Sequence, residues 1–133
     1  MTALIDTHVL LWWLKKPALL SPAAHHHFAA WEAGLGKAML SGVSLWEIEY
    51  KQLQGKLELQ APAGNWISIL SQISWIQWVD TTAEIWSRAA NLPWNHRDPA
   101  DRIIAATALV HQVPLITKDR KFHKTDSPVK AIW

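Results

Sequence analysis

The sequence predicts an α/β protein, a three-layer α/β/α sandwich around a central, mostly parallel sheet. Short apolar runs at residues 2–5, 38–43, 75–79, 115–117 and 129–133 read as strands, and longer stretches of helical periodicity lie between them. The connections are too long for hairpins, so the strands pair in parallel through crossover helices, which cover the sheet on both faces. Ligands of such open sheets sit beyond the carboxyl ends of the strands.

Each element has its own signal. The first strand ends at Asp6, and Thr7 is the expected cap of a helix through residues 8–14 that Lys15-Lys16-Pro17 ends. Ser21-Pro22 supplies a cap and a proline at the first helical position, opening a helix over 22–33 that Gly34 and Gly36 close. The segment 38–43, interrupted by Gly42, is a short buried strand, and Ser44 caps a helix carrying Leu45, Ile48 and Leu53 that stops at Gly55. Ala61-Pro62 begins the next helix, with Trp66, Ile69, Leu70 and Ile73 at helical spacing, and 75–79 alternates as a strand does. Asp80-Thr81-Thr82 offers a cap for a helix over 84–90, and Asp98-Pro99 opens one carrying Ile103, Ile104, Ala108 and Leu109. Pro114 separates that helix from the strand 115–117, and residues 129–133 form a last strand.

At 133 residues, with half of them apolar and 18% charged, the chain fits one globular domain over residues 1–133. The lack of cysteine excludes disulfides, thiolate nucleophiles and zinc–thiolate sites. The first residues have no basic region and an acid at position 6, unlike a secretory signal, and no apolar run approaches the ~20 residues of a membrane helix. A cytoplasmic protein away from any membrane is expected. The net charge of +2 names no partner, but Lys118, Arg120, Lys121, His123, Lys124 and Lys130 make the C-terminal end basic enough to attract a polyanion. Ten tryptophans are unusual in so short a chain; core and interface packing is the first explanation and base stacking the second.

The chemistry lies in the acids. Asp6 follows the first strand, Glu47 lies one turn into the helix after the second, and Asp119 follows residues 115–117, so all three belong at one sheet edge. Asp98 and Asp101 open the preceding helix on neighbouring positions of one face. Asp98 before Pro99 also reads as an N-cap, Asp101 as a dipole partner and Asp119 as a turn residue, whereas Asp6 has little structural motive. Grouped carboxylates repel unless a cation neutralises them, and Mg²⁺ or Mn²⁺ is the hard oxygen-loving ion that suits them. Such a site serves phosphodiester hydrolysis by metal-activated water.

Several stretches together resemble a known family. Leu-Ile-Asp-Thr-His-Val-Leu-Leu-Trp-Trp-Leu (4–14), Ser-Leu-Trp-Glu-Ile (44–48) with Gly55-Lys56-Leu57, His-Arg-Asp-Pro-Ala-Asp-Arg-Ile-Ile-Ala-Ala-Thr-Ala (96–108) and Leu-Ile-Thr-Lys-Asp (115–119) resemble, in order and spacing, the motifs of the PIN-domain toxins called VapC. The resemblance spans nearly the whole chain. It implies a PIN-like sandwich, a Mg²⁺- or Mn²⁺-dependent endoribonuclease of a type II toxin–antitoxin module, a VapB-like antitoxin, and products with a 5′-phosphate and a 3′-hydroxyl. Carried over by residue, it implies that Asp6, Glu47, Asp101 and Asp119 are the catalytic metal-site acids. Asp98 is similar to an additional acid of the Asp-Pro-x-Asp-Arg branch, either a ligand or only a helix cap.

Arg97, Arg102, Lys118 and Arg120 are candidates for holding RNA phosphates, and Thr117 for orienting a ligand water or carboxylate. His25-His26-His27 points in three directions and reads as a solvated face rather than a chelate. The helical stretch 9–14, apolar on every side, suggests either core burial or a contact with an antitoxin or a second copy, hence a homodimer. Two other classes fit parts of the pattern: a receiver-like phosphoacceptor signalling module, which lacks its expected acidic pair at Asp6, and a non-catalytic protein-binding domain. A dehalogenase-like phosphatase needs an acid where His8 stands.

Overall fold

A computed structural model describes residues 1–133. Five strands form one all-parallel sheet: β1 (Ala3–Ile5), β2 (Ala38–Ser41), β3 (Ile76–Val79), β4 (Leu115–Ile116) and β5 (Ala131–Ile132), in the spatial order β3-β2-β1-β4-β5. The central strand β1 is wholly buried, with Leu4 opposite Met39 on one side and Leu115 on the other. Six α-helices accompany the sheet: α1 (Thr7–Lys15), α2 (Pro22–Glu32), α3 (Gly42–Leu53), α4 (Trp66–Ser71), α5 (Ala83–Asn91) and α6 (Pro99–His111).

The strand alternation splits the core in two. Ala3 and Ile5 of β1 pack with Val9, Leu10, Phe28, Trp31 and Leu70, whereas Leu4 packs with Ile85, Ile104, Leu115 and Phe122. One residue of β1 points to each layer in turn, which is the α/β/α sandwich the sequence predicts.

Several local expectations shift. The cap of α1 is Asp6, whose carboxylate accepts the Thr7 N–H at 2.8 Å, and Thr7 is the first helical residue. Asp6 therefore does have a structural motive, contrary to the sequence reading. Likewise Ser41 rather than Ser44 caps α3, so Gly42 opens a helix instead of interrupting a strand, and Glu47 lies in the second turn. No helix starts at Ala61-Pro62: α4 is only six residues long, and Gly64 with φ of 96° turns the chain before it. Thr82 and Asp98 cap α5 and α6 as their positions suggest.

The apolar α1 is absorbed within the domain. Val9, Leu10 and Leu11 are buried, Trp13 packs against Phe28 and Trp75, and Trp12 against Trp133. No helix is long and apolar enough to cross a membrane.

Candidate metal centre

Parallel strands end on the same side, so the residues that follow β1, β2 and β4 meet above the middle of the sheet. Asp6 is the hub. Its side chain is 5% exposed; one oxygen accepts the Thr7 N–H and the other the Thr117 hydroxyl at 2.7 Å. Thr117 in turn accepts the Asp119 N–H at 3.0 Å, so the end of β4 is tied to the end of β1.

The link to α3 runs through Thr7. Its hydroxyl donates to Glu47 Oε1 at 2.7 Å, which leaves Ser44 Oγ, also at 2.7 Å, as the donor to Thr7. The first residue of α1 thus holds the second-turn carboxylate of α3 toward Asp6. From the other side, Lys121 donates to Asp101 at 2.5 Å and to Asp119 at 3.1 Å, placing an ammonium between two of the candidate acids. Lys121 reaches there because Asp119 caps a 3₁₀ turn over Arg120–Phe122 and Phe122 is buried against Trp94.

Electrostatics match this crowding. Burial pushes the Asp6 carboxyl above its ordinary range, opposed by its bond from Thr117 and by nearby His8, while Asp119 adds to the rise. Burial raises Asp101 to about 6 against the pull of Lys121, and Asp98 and Asp6 push the same way. Burial alone would lower the Lys121 pKa, but its bonds to Asp101 and Asp119 outweigh that and raise it. Asp6 is therefore near enough to Asp119, and Asp101 to Asp98 and Asp6, for their charges to repel.

The donor set is all hard oxygen, which suits Mg²⁺ or Mn²⁺ in its chemistry. As the side chains stand, no three acid or histidine groups are drawn together closely enough to cage an ion. The Lys121 ammonium takes the position of positive charge between Asp101 and Asp119. The residues fit the cation by type and neighbourhood, with a local positive charge already in place.

The remaining candidates lie around this cluster. Asp98 is exposed, caps α6 by accepting the Ala100 N–H at 3.1 Å, and shares the wall of a cavity with Glu47. Lys118 is exposed and stands 5.5 Å over the Trp12 ring, beside Asp6, His8 and Asp119 in a shallow pocket. Arg97 and Arg120 are exposed, with no ion pair. Arg102 departs from the expectation of a phosphate contact, because its guanidinium donates to the carbonyls of Ala89, Leu92, Trp94 and His96 at 2.7–2.9 Å. It holds the α5–α6 connection.

Thr7, Ser44 and Lys121 were not among the site residues expected from sequence, where Thr7 and Ser44 read only as helix caps and Lys121 only as one member of the basic C-terminal end. An Asp-Thr pair after a strand is a usable signal for Thr7, but the Lys121 contact depends on the turn after β4. The three histidines behave as expected in part: His25 and His26 are exposed, while His27 stacks on Trp31 and burial lowers its pKa.

Comparison with known proteins agrees with this geometry. The chain belongs to the PIN-domain family, whose model matches residues 3–128. Its sequence is 32% identical to Ribonuclease VapC22 of Mycobacterium tuberculosis, over 99% of this chain and 98% of that protein. The fold is similar to a chain of VapBC2 from Rickettsia felis bound to a promoter DNA fragment, with a TM-score of 0.71 at 15% identity, covering 99% of this chain and 98% of that one. A chain of DNA-bound VapBC from Salmonella typhimurium gives a TM-score of 0.71 at 16% identity, covering 99% and 97% respectively. The fold class expected from the sequence is the one found.

Proposed function

We propose that this protein is a Mg²⁺- or Mn²⁺-dependent endoribonuclease and the toxin of a type II toxin–antitoxin pair, with an antitoxin partner. The observation that carries the chemistry is the hydrogen-bonded linkage that joins the buried Asp6, at the end of β1, to carboxylates from α3, α6 and the residues after β4 through Thr7, Thr117 and Lys121. The name of its 32% identical relative supports the ribonuclease reading, and the toxin–antitoxin complexes of similar fold support the partner. A homodimer stays part of the reading, although α1 gives it no support.

Asp6, Glu47, Asp101 and Asp119 are the residues to hold the ion, with Asp98 at the rim. A divalent cation there supplies an activated water at neutral pH and offsets charge on the phosphodiester. The chain's own groups prepare that site. The Thr7 N–H and Thr117 hydroxyl fix both Asp6 oxygens, and the Thr7 hydroxyl aims Glu47. Lys118 and Arg120, exposed beside the cluster, attract the RNA backbone. Asp6 is also poorly presented as a phosphoacceptor, being 5% exposed with both oxygens engaged.

Two measurements test this. Cleavage of single-stranded RNA stops in excess EDTA and returns with Mg²⁺ or Mn²⁺; undiminished turnover in chelator rejects metal dependence. Lys121→Met removes the ammonium that neutralises Asp101 and Asp119. The metal-free variant melts several degrees lower than the parent and binds Mn²⁺ several-fold more tightly by calorimetry, since the ion meets no resident cation. Weaker Mn²⁺ binding by this variant contradicts the site.

A further inference from the structure

The chain has thirteen lysines and arginines, and only one of them forms an ion pair. Lys121 makes two, both with acids of the candidate metal centre, at 2.5 Å to Asp101 and 3.1 Å to Asp119. Its neighbours in the basic run, Lys118 and Arg120, are exposed, whereas the Lys121 side chain is only 25% exposed. Drawing an ammonium out of water costs free energy that surface lysines avoid, and apolar side chains in such places often stabilise a fold as well or better. Stability alone therefore gives little reason for a lysine here.

The main chain at Lys121 is pinned while its side chain is not. The Lys121 N–H donates to Asp119 Oδ1 at 3.2 Å and its ammonium reaches Oδ2 of the same carboxylate, so one acid holds both ends of the residue. The next side chain, Phe122, is buried, and the His123 Nε2 donates to the Thr117 carbonyl at 2.7 Å, which ties this turn to the end of β4. The four-carbon stem between these anchors and the ammonium can turn about its own bonds. If another cation takes Oδ2 of Asp119, the ammonium lets go, but the backbone of Lys121, held through Oδ1, stays beside the acids.

Charge decides where the freed ammonium goes. Asp6, Glu47, Asp101 and Asp119 bring up to four negative charges to one neighbourhood, more than one divalent ion offsets, and a phosphodiester adds another. Without a further cation the substrate is repelled from the place where it must lie. Lys118 and Arg120 bond none of these acids, and Lys118 is turned onto the Trp12 ring at 5.5 Å. Lys121 is the cation already inside the cluster.

We propose that Lys121 is a further catalytic residue: its ammonium, which joins Asp101 and Asp119 in the free protein, moves onto a non-bridging oxygen of the scissile phosphate once those carboxylates turn to a divalent ion. The proposal rests on the ribonuclease reading of the acid centre. The ammonium keeps its protons and forms no covalent bond; it offsets the charge that grows on the phosphoryl oxygens during attack. One side chain thus neutralises the acids before the substrate arrives and the substrate afterwards.

The test uses a short RNA containing the mapped cleavage site of the wild-type protein. At saturating Mn²⁺, Lys121→Met lowers kcat about a hundred-fold and leaves KM for the RNA near the parent value, although the same variant binds Mn²⁺ more tightly by calorimetry. A side chain that only braces the site does not move ion affinity and turnover in opposite directions. Lys121→Ala regains cleavage when propylammonium is supplied, and an equal concentration of propanol restores none. In wild type labelled with ¹⁵N-lysine, the Lys121 ammonium signal, identified by its loss in Lys121→Met, shifts when Mg²⁺ is added without RNA.

The ways to fail are distinct. If Lys121→Met cleaves as fast as wild type or faster at saturating Mn²⁺, the lysine only stands in for the ion; the proposal is overturned and the ribonuclease stands. If cleavage by Lys121→Ala is lost and propylammonium does not restore it, the side chain acts on the shape of the site alone, and the proposal is likewise overturned. An ammonium signal that Mg²⁺ leaves unmoved shows that the ion pairs persist, which excludes transfer to the phosphate. If wild type cleaves no RNA, the ribonuclease reading falls and takes this proposal with it.

Discussion

Asp6→Asn abolishes RNA cleavage, lowering kcat by a thousand-fold or more, while leaving the folded protein intact and more stable. The loss follows from the centrality of this carboxylate, the one that both Thr7 and Thr117 hold in place. Stability rises because burial disfavours the charged form, and an amide oxygen still accepts the Thr7 N–H that caps α1. The sign with pH is fixed. An acid whose folded pKa lies above its unfolded value costs nothing below the unfolded value, and its full cost is present above the folded one. The melting temperature of the variant in EDTA therefore exceeds that of wild type by a margin that grows over the interval above the ordinary aspartate pKa of about 4. Asp101, raised to about 6, adds a loss of wild-type stability over the same interval. A variant that cleaves RNA normally with Mg²⁺, or whose stability margin shrinks as pH rises, contradicts the role given to Asp6.

The largest effect on stability belongs to Arg102. Its guanidinium spans four carbonyls, of Ala89 at the end of α5 and of Leu92, Trp94 and His96 in the connection to α6. Arg102→Met keeps most of the side-chain volume and removes every one of these donors. Bonds to a charged group are worth about 1.5–3 kcal/mol each in favourable cases, and water recovers part of the loss at this half-buried position. A net cost on the order of 3 kcal/mol corresponds to a fall of roughly 10 °C in Tm for a domain of this size. Arg102→Lys recovers only a part, because an ammonium has three donors and no planar fork. A fall smaller than about 3 °C for Arg102→Met shows that the connection is held by other contacts.

The architecture was legible because its signals are local: apolar strand runs, caps and crossover lengths. The errors lie where two equivalent signals adjoin. Asp6 and Thr7 are both good caps, as are Ser41 and Ser44, and the choice within each pair depends on where the strand ends in the sheet. The helix expected from Ala61-Pro62 failed because the apolar spacing of Trp66, Ile69 and Leu70 belongs only to α4, after the turn at Gly64.

At the site, the strand-end positions of Asp6 and Asp119 were readable from topology. The state of the cluster was not. Whether Asp101 and Asp119 face an open position or an ammonium depends on the turn that aims Lys121, and a basic run in sequence does not show which of its members turns inward. Arg102 was misread for the same reason, since its four acceptors are main-chain atoms that only the folded loop brings together. A carbonyl carries no residue-type signal.

The sheet order has a consequence for when this protein acquires its chemistry. The central strand comes first in the chain, and the hydroxyl that fixes its terminal carboxylate arrives 111 residues later. A polypeptide still emerging from the ribosome, or one cleaved ahead of β4, has Asp6 and Glu47 but neither Thr117, Asp119 nor Lys121. Synthesis must be almost finished before these groups can meet, so a fragment of this protein is disarmed by its topology.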